Sequence, residues 1–316
     1  VGPGVDESRG FVDLPGNPPP ENAEIIWYES RGKKLRMLFA AEPKGGVKTR
    51  GTVWVCPGRT EFVEKYFEVA RDLQKRGFAL AIFDWPGQGL SPRLLKDPML
   101  GHIRTFGQYV DALRRGVEKI GHKAPGPHLI LAHSMGGAIA LEAMRLRQVK
   151  VDAAAFSAPM WGLKIWFGQR WLARLARFFG MGARPAQPPQ PPETFATTQL
   201  THDEKRWRVQ RDLIAAEPRL NLGGPTIAWG VASLNVSRGF EQPAALDHLR
   251  KTPILIASAP QEALVANAAQ KKIAKRLKHA KLISIDGARH EILMETDERR
   301  QKFWHAFDEL CKRAGI

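Results

Sequence analysis

The chain reads as an α/β protein, with a mostly parallel central sheet, helices on both faces and a helical cap insertion. Three observations predict this. Short apolar runs alternate with amphipathic helical patterns through residues 51–157 and again through 254–313, the rhythm of a parallel sheet covered on both sides. Between residues 160 and 239 the rhythm stops. One apolar run, Leu129-Ile130-Leu131-Ala132, ends on His133-Ser134-Met135-Gly136-Gly137 and passes directly into a helical pattern. A length of 316 residues suits one domain with a sizeable insertion.

In chain order, residues 1–22 are rich in Gly, Pro and Asn and read as an irregular arm. Residues 24–28 and 35–40 read as strands paired around Arg31-Gly32-Lys33. Residues 51–56 form a buried strand ending at Pro57-Gly58. In the helix that follows, Phe62, Tyr66, Val69, Ala70 and Leu73 recur at helical spacing before Gly77 ends it. Strands are expected at 78–84, 128–132 and 151–157, with a helix over 106–120. After the insertion come a strand at 254–258, a helix over 265–278, a strand at 281–285 and a helix over 297–313. The core is therefore 23–159 plus 240–316, and 160–239 is a cap. The cap follows the C-terminal end of a strand, where α/β sheets bind ligands. Within it, the Pro-rich stretch 184–192 reads as a stiff extended spacer.

Hydrophobic residues make up 43% of the chain, and no apolar run reaches the roughly 18–20 residues that span a bilayer. The first residues lack the basic and apolar parts of a secretory signal, so a cytoplasmic location is expected. Cys56 and Cys311 are the two cysteines, which implies neither a disulfide framework nor a metal cluster. No metal and no cofactor is expected. The formal charge of +16 favours anionic partners. The basic residues are scattered and accompany no nucleic-acid-binding motif, which argues against nucleic acid. A solvated surface and attraction to an anionic membrane surface both stay open.

The strand–Ser–helix passage has the layout of a nucleophile elbow, a turn so tight that only small side chains fit beside the Ser. It would lift the Ser134 hydroxyl above the sheet edge and aim a helix N-terminus at any oxyanion formed there. His290, in the turn leaving the last predicted strand, could reach Ser134 as general base and then acid. The third member should lie in 257–265, where Glu262 is the only carboxylate. A Glu can orient and stabilise the imidazole, since that role is electrostatic and geometric. Asp286 reads as a turn residue. The backbone N–H of Arg59, in the turn after strand 51–56, would complete an oxyanion hole with that of Met135. The Arg59 side chain could meet an anionic headgroup or pair with Glu61 or Glu64. The Gly-bearing turn at 84–91 reads as a support for this loop.

The stretch 161–179 contains no acidic residue. Arg170, Arg174 and Arg177 share one helical face, with Trp171, Leu175 and Phe178 on an adjoining stripe. Such a helix can lie in a bilayer interface, line an acyl pocket, or simply cap the core with solvated arginines. Trp161, Trp166 and Phe167 are the expected substrate-pocket residues of this cap.

Together, 57–62, Asp84-Trp85-Pro86-Gly87-Gln88-Gly89-Leu90-Ser91, His133-Ser134-Met135-Gly136-Gly137 and Gly287-Ala288-Arg289-His290-Glu291 resemble the monoacylglycerol lipases and bacterial lysophospholipases L2. These are serine aminopeptidase S33-type members of the α/β-hydrolase superfamily. The resemblance implies the α/β-hydrolase fold and a capped, cofactor-free serine esterase acting on monoacyl lipids through an acyl-enzyme. The chain departs from the pattern in three places. Ala132 stands for the elbow's usual first Gly, Pro57 for the usual His of the oxyanion loop, and Glu262 for the usual Asp. The positive charge favours lysophospholipid over monoacylglycerol. Three other readings stay open: an aminopeptidase, which would want a cap carboxylate such as Glu193, Asp203, Glu204 or Glu217; an esterase of small esters; and a non-catalytic scaffold. A dehalogenase or epoxide hydrolase would need Asp at position 134. Oligomeric state is not legible.

Overall fold

The computed structural model describes residues 5–6, 10–41, 49–164, 167–188, 190–191 and 193–316. It opens with two short paired strands, β1 (Val5–Asp6) and β2 (Phe11–Val12). The arm is thus less irregular than its composition suggests. Phe11 and Val12 are buried, and Val12 N–H donates to Glu64 Oε1 at 3.0 Å. Next come β3 (Ala23–Ser30) and β4 (Lys33–Ala40), an antiparallel hairpin. Its two-residue turn has φ of 50° at Arg31 and 68° at Gly32, the positive values that match the twist of a hairpin.

β5 (Thr52–Cys56) leads through a tight 3₁₀ turn, Val63–Tyr66, into α1 (Phe67–Lys75). Then follow β6 (Ala79–Phe83), α2 (Gly107–Ile120), β7 (His128–His133), α3 (Met135–Arg145) and β8 (Ala153–Ser157). Among the described residues, the α-helices α4 (Phe167–Phe178), α5 (Glu204–Ala216) and α6 (Ile227–Glu241) intervene before the sheet resumes. The chain ends with β9 (Ile254–Ser258), α7 (Asn267–Ala274), β10 (Ala280–Ser284) and α8 (Asp297–Ala314). α7 is shorter than the helix expected over 265–278. Val265 is held extended by a bridge to Leu163, and the last turn tightens to Arg276 N–H on Ile273 O.

Eight strands form one sheet in the order β10-β9-β8-β7-β5-β6-β4-β3, antiparallel only where β4 meets β3 and β6. The central strands are mostly apolar because both faces are covered. Trp54, Ile130 and Phe156 face the layer built on α2 and α3. Val53, Val55 and Leu131 face the other layer, with Phe67 of α1 and Phe303 and Phe307 of α8. α6 packs on both α3 and α4. β5, β7, β8 and β9 run parallel, so their C-terminal ends share one edge, the edge at which α/β sheets bind ligands. Among the described residues no helix is long and apolar enough to cross a membrane.

Candidate active site

Ser134 joins β7 to α3 with φ 49° and ψ −118°, a strained conformation for a side-chain-bearing residue. Its surroundings hold it there. Ser134 N–H donates to Ser157 O at 3.1 Å, and Met160 N–H donates to Ser134 O at 2.9 Å. The small residues of the elbow are required sterically. A Cβ on Gly136 would stand 2.0 Å from Cys56 O, and one on Gly137 would stand 2.7 Å from Pro159 Cβ. Ala132, in place of the usual Gly, points its methyl into the buried core.

The turn after β10 carries His290, and the loop after β9 carries Glu262. His290 Nε2 lies 2.8 Å from Ser134 Oγ, and His290 Nδ1 lies 2.6 Å from Glu262 Oε2. All three side chains are buried. Glu262 Oε1 accepts the N–H groups of Leu264, at 2.7 Å, and Val265, at 3.1 Å. Burial alone would raise the Glu262 pKa, but His290 and these two N–H groups outweigh it and hold the carboxyl below its usual range. An ionised Glu262 places the imidazole proton on Nδ1, leaving Nε2 as acceptor for the Ser134 hydroxyl.

The loop after β5 abuts Ser134: a Cβ on Gly58 would meet Ser134 Cβ at 3.3 Å. Gly58 N–H is taken by Glu61 Oε2. The N–H groups of Arg59 and Met135 have no hydrogen-bond partner among the described residues. The 84–91 turn fastens this loop from below. Trp85 Nε1 donates to Pro57 O at 2.9 Å, and Gln88 Nε2 donates to Gly58 O at 2.8 Å and to Glu61 O at 3.0 Å.

Sequence reasoning missed a buried network beside the site. Lys65 Nζ lies 2.9 Å from Glu61 Oε1, 2.6 Å from Glu291 Oε1 and 2.9 Å from Gln210 Oε1. One ammonium thus ties the loop after β5 to the neighbour of His290 and to α5. Burial would lower the Lys65 pKa, but Glu291 and Glu61 raise it further. Burial would raise Glu61, yet Lys65, His133 and its hydrogen bonds bring it to about 2. Glu291 ends above its usual value, through burial and the nearby Glu61 against the pull of Lys65. His133, whose Nδ1 is 3.0 Å from Ser157 O, is pushed down to about 4, chiefly by burial. The i,i+4 spacing of Glu61 and Lys65 was the one local signal; nothing in the sequence joins them to Glu291.

Above Ser134 opens a cavity of about 530 Å³, whose walls include Arg59, Leu163, Ile214, Leu222, Trp229 and Leu264. Trp161 is not among its lining residues. It is buried, packs its ring on Phe156 at 5.0 Å and donates Nε1–H to Gly137 O at 3.1 Å, so it supports the elbow from the core. Trp166 and the side chain of Phe167 lie outside the described residues. Trp229 of α6 supplies the aromatic wall instead. Of the cap carboxylates, Glu193 reaches the cavity but is paired with Arg211 at 2.6 Å. Asp203 caps α5, Glu204 pairs with Arg208 and Glu217 with Arg219.

α4 is oriented unusually. Arg170, Arg174 and Arg177 are half-buried, while Trp171 is 63% exposed and Phe178 83% exposed. Leu172, Leu175 and Phe179 are exposed beside them.

Residues 47–297 match the family described as serine aminopeptidase, S33. The chain is 35% identical to lysophospholipase L2 of Escherichia coli (strain K12) over 283 residues, which cover 83% of this chain and 80% of that protein. It is 30% identical to a probable lysophospholipase L2 of Haemophilus influenzae over 277 residues, 86% of each chain. Among solved structures, a soluble variant of monoglyceride lipase from Saccharomyces cerevisiae shares the fold with a TM-score of 0.72 at 17% identity, over 96% of this chain and 98% of that one. The Paleococcus ferrophilus monoacylglycerol lipase gives 0.66 at 18% identity, over 88% and 98%. The chain belongs to the serine aminopeptidase S33-type family of α/β-hydrolases, alongside the lysophospholipases L2, and is a carboxylic-ester hydrolase.

Proposed function

We propose that this enzyme hydrolyses the ester of monoacyl lipids, lysophospholipid or monoacylglycerol, through a Ser134–His290–Glu262 relay. The observation that carries the reading is the hydrogen-bonded line from Glu262 through His290 to Ser134, at 2.6 and 2.8 Å, at the foot of a cavity with both apolar and polar walls. His290 Nε2 takes the Ser134 proton as Oγ attacks the ester carbonyl, and Glu262 stabilises the imidazolium. The N–H groups of Arg59 and Met135 receive the oxyanion. His290 returns the proton to the leaving alcohol, and water activated by the same imidazole frees the fatty acid from the acyl-enzyme. Leu163, Ile214, Leu222 and Leu264 supply apolar surface for the acyl chain.

The relatives' names support the lipid-ester reading. An aminopeptidase is less well supported, because Glu193, the cap carboxylate at the cavity, is already neutralised by Arg211. The outward stripe of α4, backed by arginines on a chain of charge +16, suits peripheral contact with an anionic lipid surface on the cytoplasmic side. The test is fluorophosphonate labelling combined with hydrolysis of acyl glycerols, lysophospholipids and aminoacyl amides. Labelling should fall on Ser134 and vanish in Ser134→Ala, with hydrolysis down by about a thousandfold or more. Unlabelled Ser134, or a preference for aminoacyl amides, would overturn the reading.

A further inference from the structure

Among the described residues no carboxylate pairs with Arg59. The two arginines that are buried among the described residues are neutralised, Arg36 by Glu64 and Asp84 and Arg300 by Glu68 and Asp72. Both carboxylates near Arg59 in sequence are already engaged, Glu64 with Arg36 and Glu61 with Lys65. The Arg59 side chain instead reaches toward the cap. Its Nη1 donates to the backbone carbonyl of Gly223 at 2.7 Å, and its Cζ stands 5.8 Å from the centre of the Trp229 ring. Nε and Nη2 have no protein acceptor among the described residues, and neither is among the fully buried orphan atoms. The side chain lines the cavity over Ser134, and burial pulls its pKa below the usual guanidinium value without any carboxylate to restore it. A half-buried cation with no carboxylate beside it loses part of its hydration without an ion pair in return, and a planar fork of free N–H donors fits phosphate oxygens in two-point contact.

We propose that Arg59 is the specificity-determining residue of this site: its guanidinium binds the phosphate of a monoacyl glycerophospholipid while its backbone N–H serves the ester oxyanion. The covalent spans match. In a 1-acyl glycerophospholipid the same number of atoms separates phosphorus from the acyl carbonyl carbon as separates Cζ of an arginine from its backbone nitrogen. One residue can therefore address both ends of the glycerol unit. The phosphate is common to all such lipids, so the guanidinium selects lysophospholipid over monoacylglycerol without selecting among headgroup alcohols. The cap holds the fork through Gly223 and Trp229 rather than through a competing anion.

This rests on the lipid-ester reading above, and the experiment separates the two. kcat and KM are measured for the full chain on 1-decanoyl lysophosphatidylcholine and 1-decanoylglycerol, both monomeric, in wild type, Arg59→Met, Arg59→Gln and Arg59→Lys. The readout is the ratio of the two kcat/KM values, so a general loss of activity cancels. The ratio of lysophospholipid to glycerol ester should fall by about 10- to 100-fold in the Met and Gln variants. The loss should lie mainly in the KM for lysophospholipid, and Lys should restore part of it. A ratio within threefold of wild type in the variants overturns the assignment and leaves the esterase intact. A wild type that hydrolyses neither lipid overturns both. Inorganic phosphate is the control arm. Competitive inhibition of decanoylglycerol hydrolysis by micromolar phosphate would mark a site for the free ion and overturn the headgroup assignment; inhibition only at millimolar concentrations, weakened in Arg59→Met, supports it.

Discussion

Lys65 Nζ lies 2.6 Å from Glu291 Oε1, and both side chains are buried. The residue that follows His290 in the chain is thereby fixed to the first turn after the loop that follows β5, and through Gln210 to the cap. The loop after β5 and the turn that carries His290, which come from opposite halves of the chain, are thus joined by one ammonium.

Removing that ammonium should be severe. Lys65→Met leaves Glu61 and Glu291 facing each other out of water, and we expect a loss of about 3–5 kcal/mol, measured by urea unfolding at neutral pH. The pH dependence has a defined sign. Carboxyls whose folded pKa exceeds the unfolded value bind more protons in the native state, so the variant should gain stability as pH falls toward 5. The double variant Lys65→Met/Glu291→Gln should recover part of the loss at pH 7. A single variant as stable as wild type at both pH values would refute the hub.

Glu262→Gln should lower kcat by about 10²- to 10⁴-fold while the protein stays folded, because the amide neither fixes the Nδ1–H tautomer nor stabilises imidazolium. Glu262→Asp, one methylene short of the 2.6 Å contact, should retain more activity than Gln. Since the folded Glu262 pKa is depressed, its contribution to stability is present above the unfolded value and fades as pH falls through the folded one. Thermal melts of wild type and Glu262→Gln should therefore converge as pH falls from the ordinary glutamate value of about 4.3 through the lower folded one. Full kcat in the Gln variant would show that another acid serves.

His133 predicts an acid sensitivity. Its pKa is depressed to about 4 by burial, so between about 6.5 and 4 the unfolded chain takes up a proton that the native state refuses. Stability at this residue is undiminished above 6.5, falls as pH drops, and levels off near 4, a total of roughly 3 kcal/mol. In His133→Gln, which keeps a donor for Ser157 O, that portion of the acid slope should disappear from denaturant titrations.

The exposed stripe of α4 should decide surface binding. Trp171→Ser/Phe178→Ser should cut co-sedimentation with phosphatidylglycerol vesicles by about tenfold, with little change on monomeric esters. Equal binding of variant and wild type, or equal binding to neutral phosphatidylcholine vesicles, would argue against this face.

The α/β rhythm and the elbow were legible in the sequence because each is local, whereas Ser134, Glu262 and His290, spread over 156 residues, were linked through the chain order of the α/β-hydrolase arrangement. Strand runs and helix periodicity are properties of short windows, and the elbow demands small residues within a few positions of the Ser. Glu262 was singled out because its loop offers no other carboxylate. Only the tertiary structure decided the rest. Trp161 and Trp229 are equally aromatic on paper, yet one supports the elbow from the core and the other walls the cavity. α6 was missed because it is buried on most of its surface, which removes the polar face that gives a helix its period. α4 showed its amphipathic stripe, but which side faces outward depends on α6, which covers the other face. The fate of Arg59 turned on competition for acids distant in sequence: Arg36 took Glu64 and Lys65 took Glu61. Charge pairing is a three-dimensional allocation, and no window of sequence contains it.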